Sequence, residues 1–102
     1  MSITADFTPS RTSGFAPLAV LFDGTTTVSD ETSTPIHNCV YLYDFDDSGS
    51  GTWSYGNATL NSKNEARSVI AAHEYRTPGT YNPVLTAFDG VNVDTYSETI
   101  TV

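Results

Sequence analysis

The chain is short of positive charge. Four Lys and Arg residues stand against twelve Asp and Glu in 102 residues, a formal net charge of −8. Arg11, Lys63, Arg67 and Arg76 are scattered, so no basic patch is available for phosphates, and no nucleic-acid partner is expected. An anionic membrane surface is disfavoured for the same reason. No apolar run is long enough to cross a bilayer, so no membrane insertion is expected. Cysteine occurs once, at Cys39, which rules out an internal disulfide and leaves packing to hold the fold. His37 lies two residues before it, on the same face if the chain is extended there. Two ligands fall short of a structural zinc set, and a buried core thiol is the plain reading. Residues 1–6 lack the basic start and apolar stretch of a secretory signal. Both a chain complete at Val102 and a domain cut from a longer protein fit these facts.

What is abundant is Thr, Ser, Gly, Asp and Tyr, a composition suited to strands and turns. The length suits one domain over residues 1–102. Residues 73–90, HEYRTPGTYNPVLTAFDG, organise the rest. Thr77-Pro78-Gly79-Thr80 reads as a type II turn, with Gly79 at the position needing positive φ. After it, Tyr81, Pro83, Leu85 and Ala87 fall on one side of an extended chain. Asn82, Val84, Thr86 and Phe88 fall on the other. Apolar groups on both sides suit a strand in mid-sheet. Pro83 removes a ladder donor there and predicts a bulge or an N–H direction that faces no partner. Asp89-Gly90 closes the run as a second turn.

Residues 3–7 and 18–22 read as strands, with Leu18, Val20 and Phe22 on one face. Thr8-Pro9-Ser10 breaks the first. Residues 25–38 are polar and loop-like, with room for a short strand. In residues 40–45, Tyr41, Tyr43 and Phe45 alternate with Val40, Leu42 and Asp44. Residues 48–64 read as a hairpin or decorated loop carrying Trp53 and Tyr55. Residues 65–68 suit a helical turn. Val69, Ala71, His73 and Tyr75 form the inward set of the next strand. A last strand covers residues 95–102, with Tyr96, Ile100 and Val102 inward. The total is about seven short antiparallel strands, the pattern of an all-β, immunoglobulin-like sandwich.

Several pieces resemble PKD domains, a family of such sandwiches. They are the opening from Phe7 through Ala16-Pro17-Leu18 to Phe22, the aromatic-Asp-Phe unit Tyr43-Asp44-Phe45, and His73 and Tyr75 followed by Pro78, Gly79 and Tyr81. The chain departs from the family at Asp46 and Ser48, where glycine is usual, and Gly49 and Gly51 are placed to take over that turn. Tyr75 or Tyr81 is expected to be a tyrosine corner, its hydroxyl tying the turn to nearby backbone. His73 is expected as a hydrogen-bonded core residue.

Asp44, Asp46 and Ser48, with Gly49 behind them, resemble the start of a calcium loop, and some members of the family bind calcium. Tyr55 stands where that motif wants a bidentate Glu. The other reading is an acidic loop capping its own backbone, and no further cofactor is expected. Catalysis is not expected. There is no Gly-x-Ser-x-Gly frame, and a sandwich this small leaves little room for a ligand-sized pocket. The inward aromatics are expected to be used up in holding the two sheets together, leaving the exterior to carry any function. A deep cleft gathering His73 and the acidic loop would contradict that. Asn57-Ala58-Thr59 is a glycosylation sequon, meaningful only in a secreted eukaryotic protein.

Two binding surfaces are expected. If Tyr41, Tyr43, Phe45, Tyr81 and Leu85 fill the core, Val40, Leu42, Val84 and Phe88 project outward as an apolar patch, unless the long loops cover it. Trp53 and Tyr55 are loop aromatics suited to anchoring a protein or stacking on a sugar, or else to packing on their own hairpin. The patch supports a non-catalytic module docking on the protein surface of a larger assembly, such as a decoration protein on a viral capsid, with self-association on that surface. The resemblance implies an alternative, an accessory domain of a secreted hydrolase or cell-surface protein that binds polysaccharide. The corresponding location is a virion or an extracellular surface.

Overall fold

The computed structural model describes residues 2–53 and 62–102. In Leu18–Asp23 (β3), Leu18, Val20 and Phe22 are buried and the side chains between them are exposed. Ile70–Tyr75 (β7) repeats the pattern with Ala71, His73 and Tyr75. The two pair antiparallel with Val20 opposite His73. A period of two therefore gathers six buried side chains on one face. Thr8–Pro9 (β2) pairs along the other side of β3, giving a three-stranded layer ordered β2-β3-β7.

The facing layer contains Val40–Asp44 (β5), Glu65–Ala66 (β6), Val84–Phe88 (β9) and Val93–Ser97 (β10), in the order β10-β9-β5-β6. Here β9 is central, as its two apolar sides predict. Tyr43 lies opposite Leu85 across the β5–β9 ladder, and both are fully buried. Two short ladders complete the fold. Ile3–Thr4 (β1) pairs with Val28–Ser29 (β4), and Thr80–Tyr81 (β8) pairs with Ile100–Thr101 (β11). Pro35–Asn38 (α1) is a single helical turn. The result is an all-β sandwich.

Aromatic rings fill the space between the layers. Phe7 meets Phe22, Tyr43 and Tyr96 edge-on at centroid distances of 5.4, 5.9 and 5.0 Å. Phe45 stacks on Tyr43 at 5.9 Å. Each fully buried ring of this size contributes roughly 1.5–3 kcal/mol through lost water contact. Gly24 is required by close approach. A Cβ there would come within 2.8 Å of the Tyr43 hydroxyl, which itself donates to the Val69 carbonyl at 2.8 Å.

The structure corrects several expectations. Residues 65–66 form an edge strand against Tyr43 and Asp44, so pairing overrides the helical preference of Glu-Ala-Arg. The final strand divides into β10 and β11, which belong to different ladders. The run after Tyr81 likewise breaks at Asn82-Pro83, because a proline cannot donate at that point. The 77–80 turn is not type II. Gly79 is absent from the positive-φ residues and instead exchanges two backbone bonds with Val102, at 3.1 and 2.9 Å. His37 lies in α1, so it shares no strand face with Cys39. Cys39 packs partly buried against the core, and burial raises its thiol pKa.

Candidate functional site

Tyr81 is the tyrosine corner, its hydroxyl donating to the Thr77 carbonyl at 2.5 Å. Tyr75 reaches across the layers instead and donates to the Phe45 carbonyl at 2.8 Å. Burial pushes the Tyr75 pKa upward, with the Asp47 charge adding to the effect.

The acidic loop begins where β5 ends. Asp46 takes φ 58, the left-handed conformation that glycine adopts most readily. Its Oδ2 accepts from the Asn82 N–H at 2.9 Å. Asp44 Oδ1 accepts from the Asp46 N–H at 2.9 Å and from Asn64 Nδ2 at 3.0 Å. Ser48 starts a 3-10 turn, Ser48–Ser50, followed by Gly51 at φ 85. Asp47 Oδ2 lies 2.8 Å from His73 Nε2. An ionised carboxylate only accepts, so Nε2 carries the hydrogen. The three carboxylates thus serve four separate partners. No group of three or more His, Cys, Asp or Glu among the described residues is placed to hold a metal ion.

The expectation that no ligand-sized pocket fits is overturned. A cleft of about 850 Å³ opens between the β6 edge of one layer and the β7 edge of the other. It exists because β6 is only two residues long and no described strand bridges it to β7. Phe45 and His73 line it from the core side, stacked at 4.6 Å, with His73 only 8% exposed. Asp47, Gly49 and Ser50 bring the acidic loop to one wall. His73 and part of that loop therefore do meet in a cleft, while Asp44 and Asp46 do not line it.

Trp53 stands at the mouth, 48% exposed. It is held on the stem of the expected hairpin, where Thr52 bridges Ser62 and the Lys63 N–H donates to the Gly51 carbonyl. The Lys63 ammonium sits 5.2 Å from the Trp53 ring centroid. Tyr55 and the Asn57 sequon lie outside the described residues. Lys63, Glu65, Glu74 and Arg76 complete the rim. Sequence reading misses these four, since nothing short-range joins them and only the fold does.

The second expected surface is the outer face of the four-stranded layer. Val40 lies opposite Phe88, and Phe88 opposite Val93. The three form an apolar row across three strands, exposed by 48%, 43% and 63%. Leu42 and Val84 are half-buried, with Leu42 opposite Thr86 and Val84 between Asp44 and Ser97. Val93 extends the expected patch, and the polar rows beside it limit it.

No protein-family model and no curated protein matches the chain. Among solved structures, a chain from work on carbohydrate-binding modules of the β-sandwich super family, and on their promiscuous specificity, superposes with a TM-score of 0.70. It is 24% identical over 100% of this chain and 34% of its own length. The likeness is one of fold. The chain spans about a third of that neighbour, and two layered sheets are what the two share.

Proposed function

We propose that this is a non-catalytic binding module that takes a polysaccharide chain in the cleft between β6 and β7. The observation that carries the reading is the open cleft itself, with Trp53 at its mouth and hydrogen-bonding side chains along its rim. An aromatic face stacks on the apolar face of a sugar ring, and mixed donors and acceptors meet its hydroxyls. The sandwich neighbour's description as a carbohydrate-binding module supports the same direction. His73 is engaged with Asp47 and stacked on Phe45, which suits a wall more than a reacting group. A PKD-type accessory domain of a secreted or cell-surface protein would work in this way. The test is pull-down on insoluble polysaccharides. Trp53→Ala should reduce the bound fraction at least about tenfold, the scale of a lost aromatic anchor. Unchanged binding would remove the proposal.

The row Val40, Phe88 and Val93 supports a second reading, docking of the outer face on a protein assembly such as a virion surface. Phe88→Asp would then abolish attachment to that assembly while the far-ultraviolet spectrum stays unchanged. Normal attachment by that variant would clear the face of any role.

A further inference from the structure

The rim of the cleft has a charge arrangement that selects among sugar polymers. Each of its cations lies beside a partner. Lys63 sits 5.2 Å from the Trp53 ring centroid, and Arg76 Nε lies 3.6 Å from Glu74 Oε1. Its carboxylates, Asp47, Glu65 and Glu74, outnumber those cations. Beyond the rim, the whole chain carries −8.

We propose that the cleft accepts uncharged polysaccharides and rejects polyuronates, an inference that rests on the sugar-binding reading above. A sugar hydroxyl both donates and accepts, so it can meet Glu65 and Lys63 at once without separating any pair. A uronate carboxylate only accepts. To enter, it must share Lys63 with the indole or Arg76 with Glu74 while facing the three rim carboxylates. The field of the chain opposes its approach as well, over a range of about 10 Å at 0.1 M salt.

The experiment uses affinity electrophoresis and calorimetry with soluble neutral polymers (a glucan, a mannan and a xylan) and two polyuronates (polygalacturonate and alginate). At about 20 mM salt, the best neutral polymer should bind at least about tenfold more tightly than either polyuronate. Its affinity should change less than about twofold on raising salt to about 500 mM, and the gap to the polyuronates should narrow. The double variant Glu65→Lys with Glu74→Lys, both exposed positions, should gain polyuronate binding at low salt. Polyuronate binding by the unaltered chain as tight as neutral binding would overturn the inference and leave sugar binding standing. So would a double variant with no gain, since the rim charges would then not be the discriminator. Failure of every polymer, neutral and charged, would instead overturn the sugar-binding reading itself.

Discussion

The two edges of the sandwich are built in opposite ways. At the β10 edge, the N-terminal segment closes the gap between layers. The Ala5 N–H donates to Asp94 Oδ2 at 2.9 Å, Thr27 bonds both backbone groups of Asp6, and Phe7 fills the space against Tyr96. At the other edge, β6 and β7 stand apart and the cleft lies between them. One edge commits its aromatic ring to the core, and the other leaves Trp53 half in water. The closed edge therefore carries stability, and the open edge is free to carry recognition.

That division is most exposed to a pair of truncations. Phe7→Ala removes a ring packed against three others and should cost about 3–5 kcal/mol. Trp53→Ala should cost under about 1 kcal/mol, because its ring is already half solvated. Urea denaturation of both variants measures the difference. Equal losses would mean that the open edge is as structural as the closed one.

How far this is legible in the sequence follows from the range of each signal. Alternation at residues 18–22, 41–45 and 71–75 assigns inward and outward sides directly, because it depends on each chain segment alone. The turn at 77–80 is equally local. Its type is not, because Gly79 pairs with the distant Val102, and the choice between Tyr75 and Tyr81 as the corner needs the fold. Val93 escapes because the last strand reads as starting two residues later, and alternation beyond an assumed end is not read. The strand at 65–66 escapes because Glu, Ala and Arg favour helix, while the ladder to Tyr43 and Asp44 comes from a distant segment. The cleft is invisible for a stronger reason. It is a gap between two edges, and no residue pattern encodes a missing neighbour. Lys63 and Arg76 are half of the chain's basic residues, yet only folding sets them on one rim.

Alkaline pH should probe the closed edge from another direction. The Tyr96 hydroxyl donates to Glu98 Oε2 at 2.7 Å, and that bond, with burial behind it, pushes its pKa from 10.0 up to about 12. A group that holds its proton more tightly when folded stabilises the fold below its unfolded pKa. The contribution is then lost as pH rises from about 10 towards about 12. Burial raises Tyr43 and Tyr75 in the same direction, so the whole chain should weaken in alkali. Tyr96→Phe should flatten the slope of stability against pH in that window. Denaturation midpoints taken from pH 9 to 12, with tyrosinate absorbance as a second signal, read the effect. An identical slope in the variant would mean that Tyr96 titrates alike in the folded and unfolded chain.

The smallest effect belongs to Asp46, which borders the open edge and is pulled in two directions. Its φ of 58 costs an ordinary side chain about 1 kcal/mol, and Asp and Asn tolerate it best. Its carboxylate also holds the Asn82 N–H, where the strand after Tyr81 breaks. Asp46→Asn keeps both the tolerance and an acceptor, so stability should change by under about 0.5 kcal/mol. Asp46→Gly relieves the backbone but loses the acceptor and loosens the unfolded chain, for a net loss of about 1 kcal/mol. Asp46→Ala loses the acceptor and meets the unfavourable φ as well, so it should fall lowest, by about 2 kcal/mol. The order Asn, Gly, Ala in urea midpoints separates backbone from side chain. If Gly equals or exceeds the unaltered chain, the left-handed backbone outweighs the bond to Asn82, which then adds little. The loop would in that case be set by local conformation, and not by its tie to Asn82 just before the neighbouring strand in the same layer.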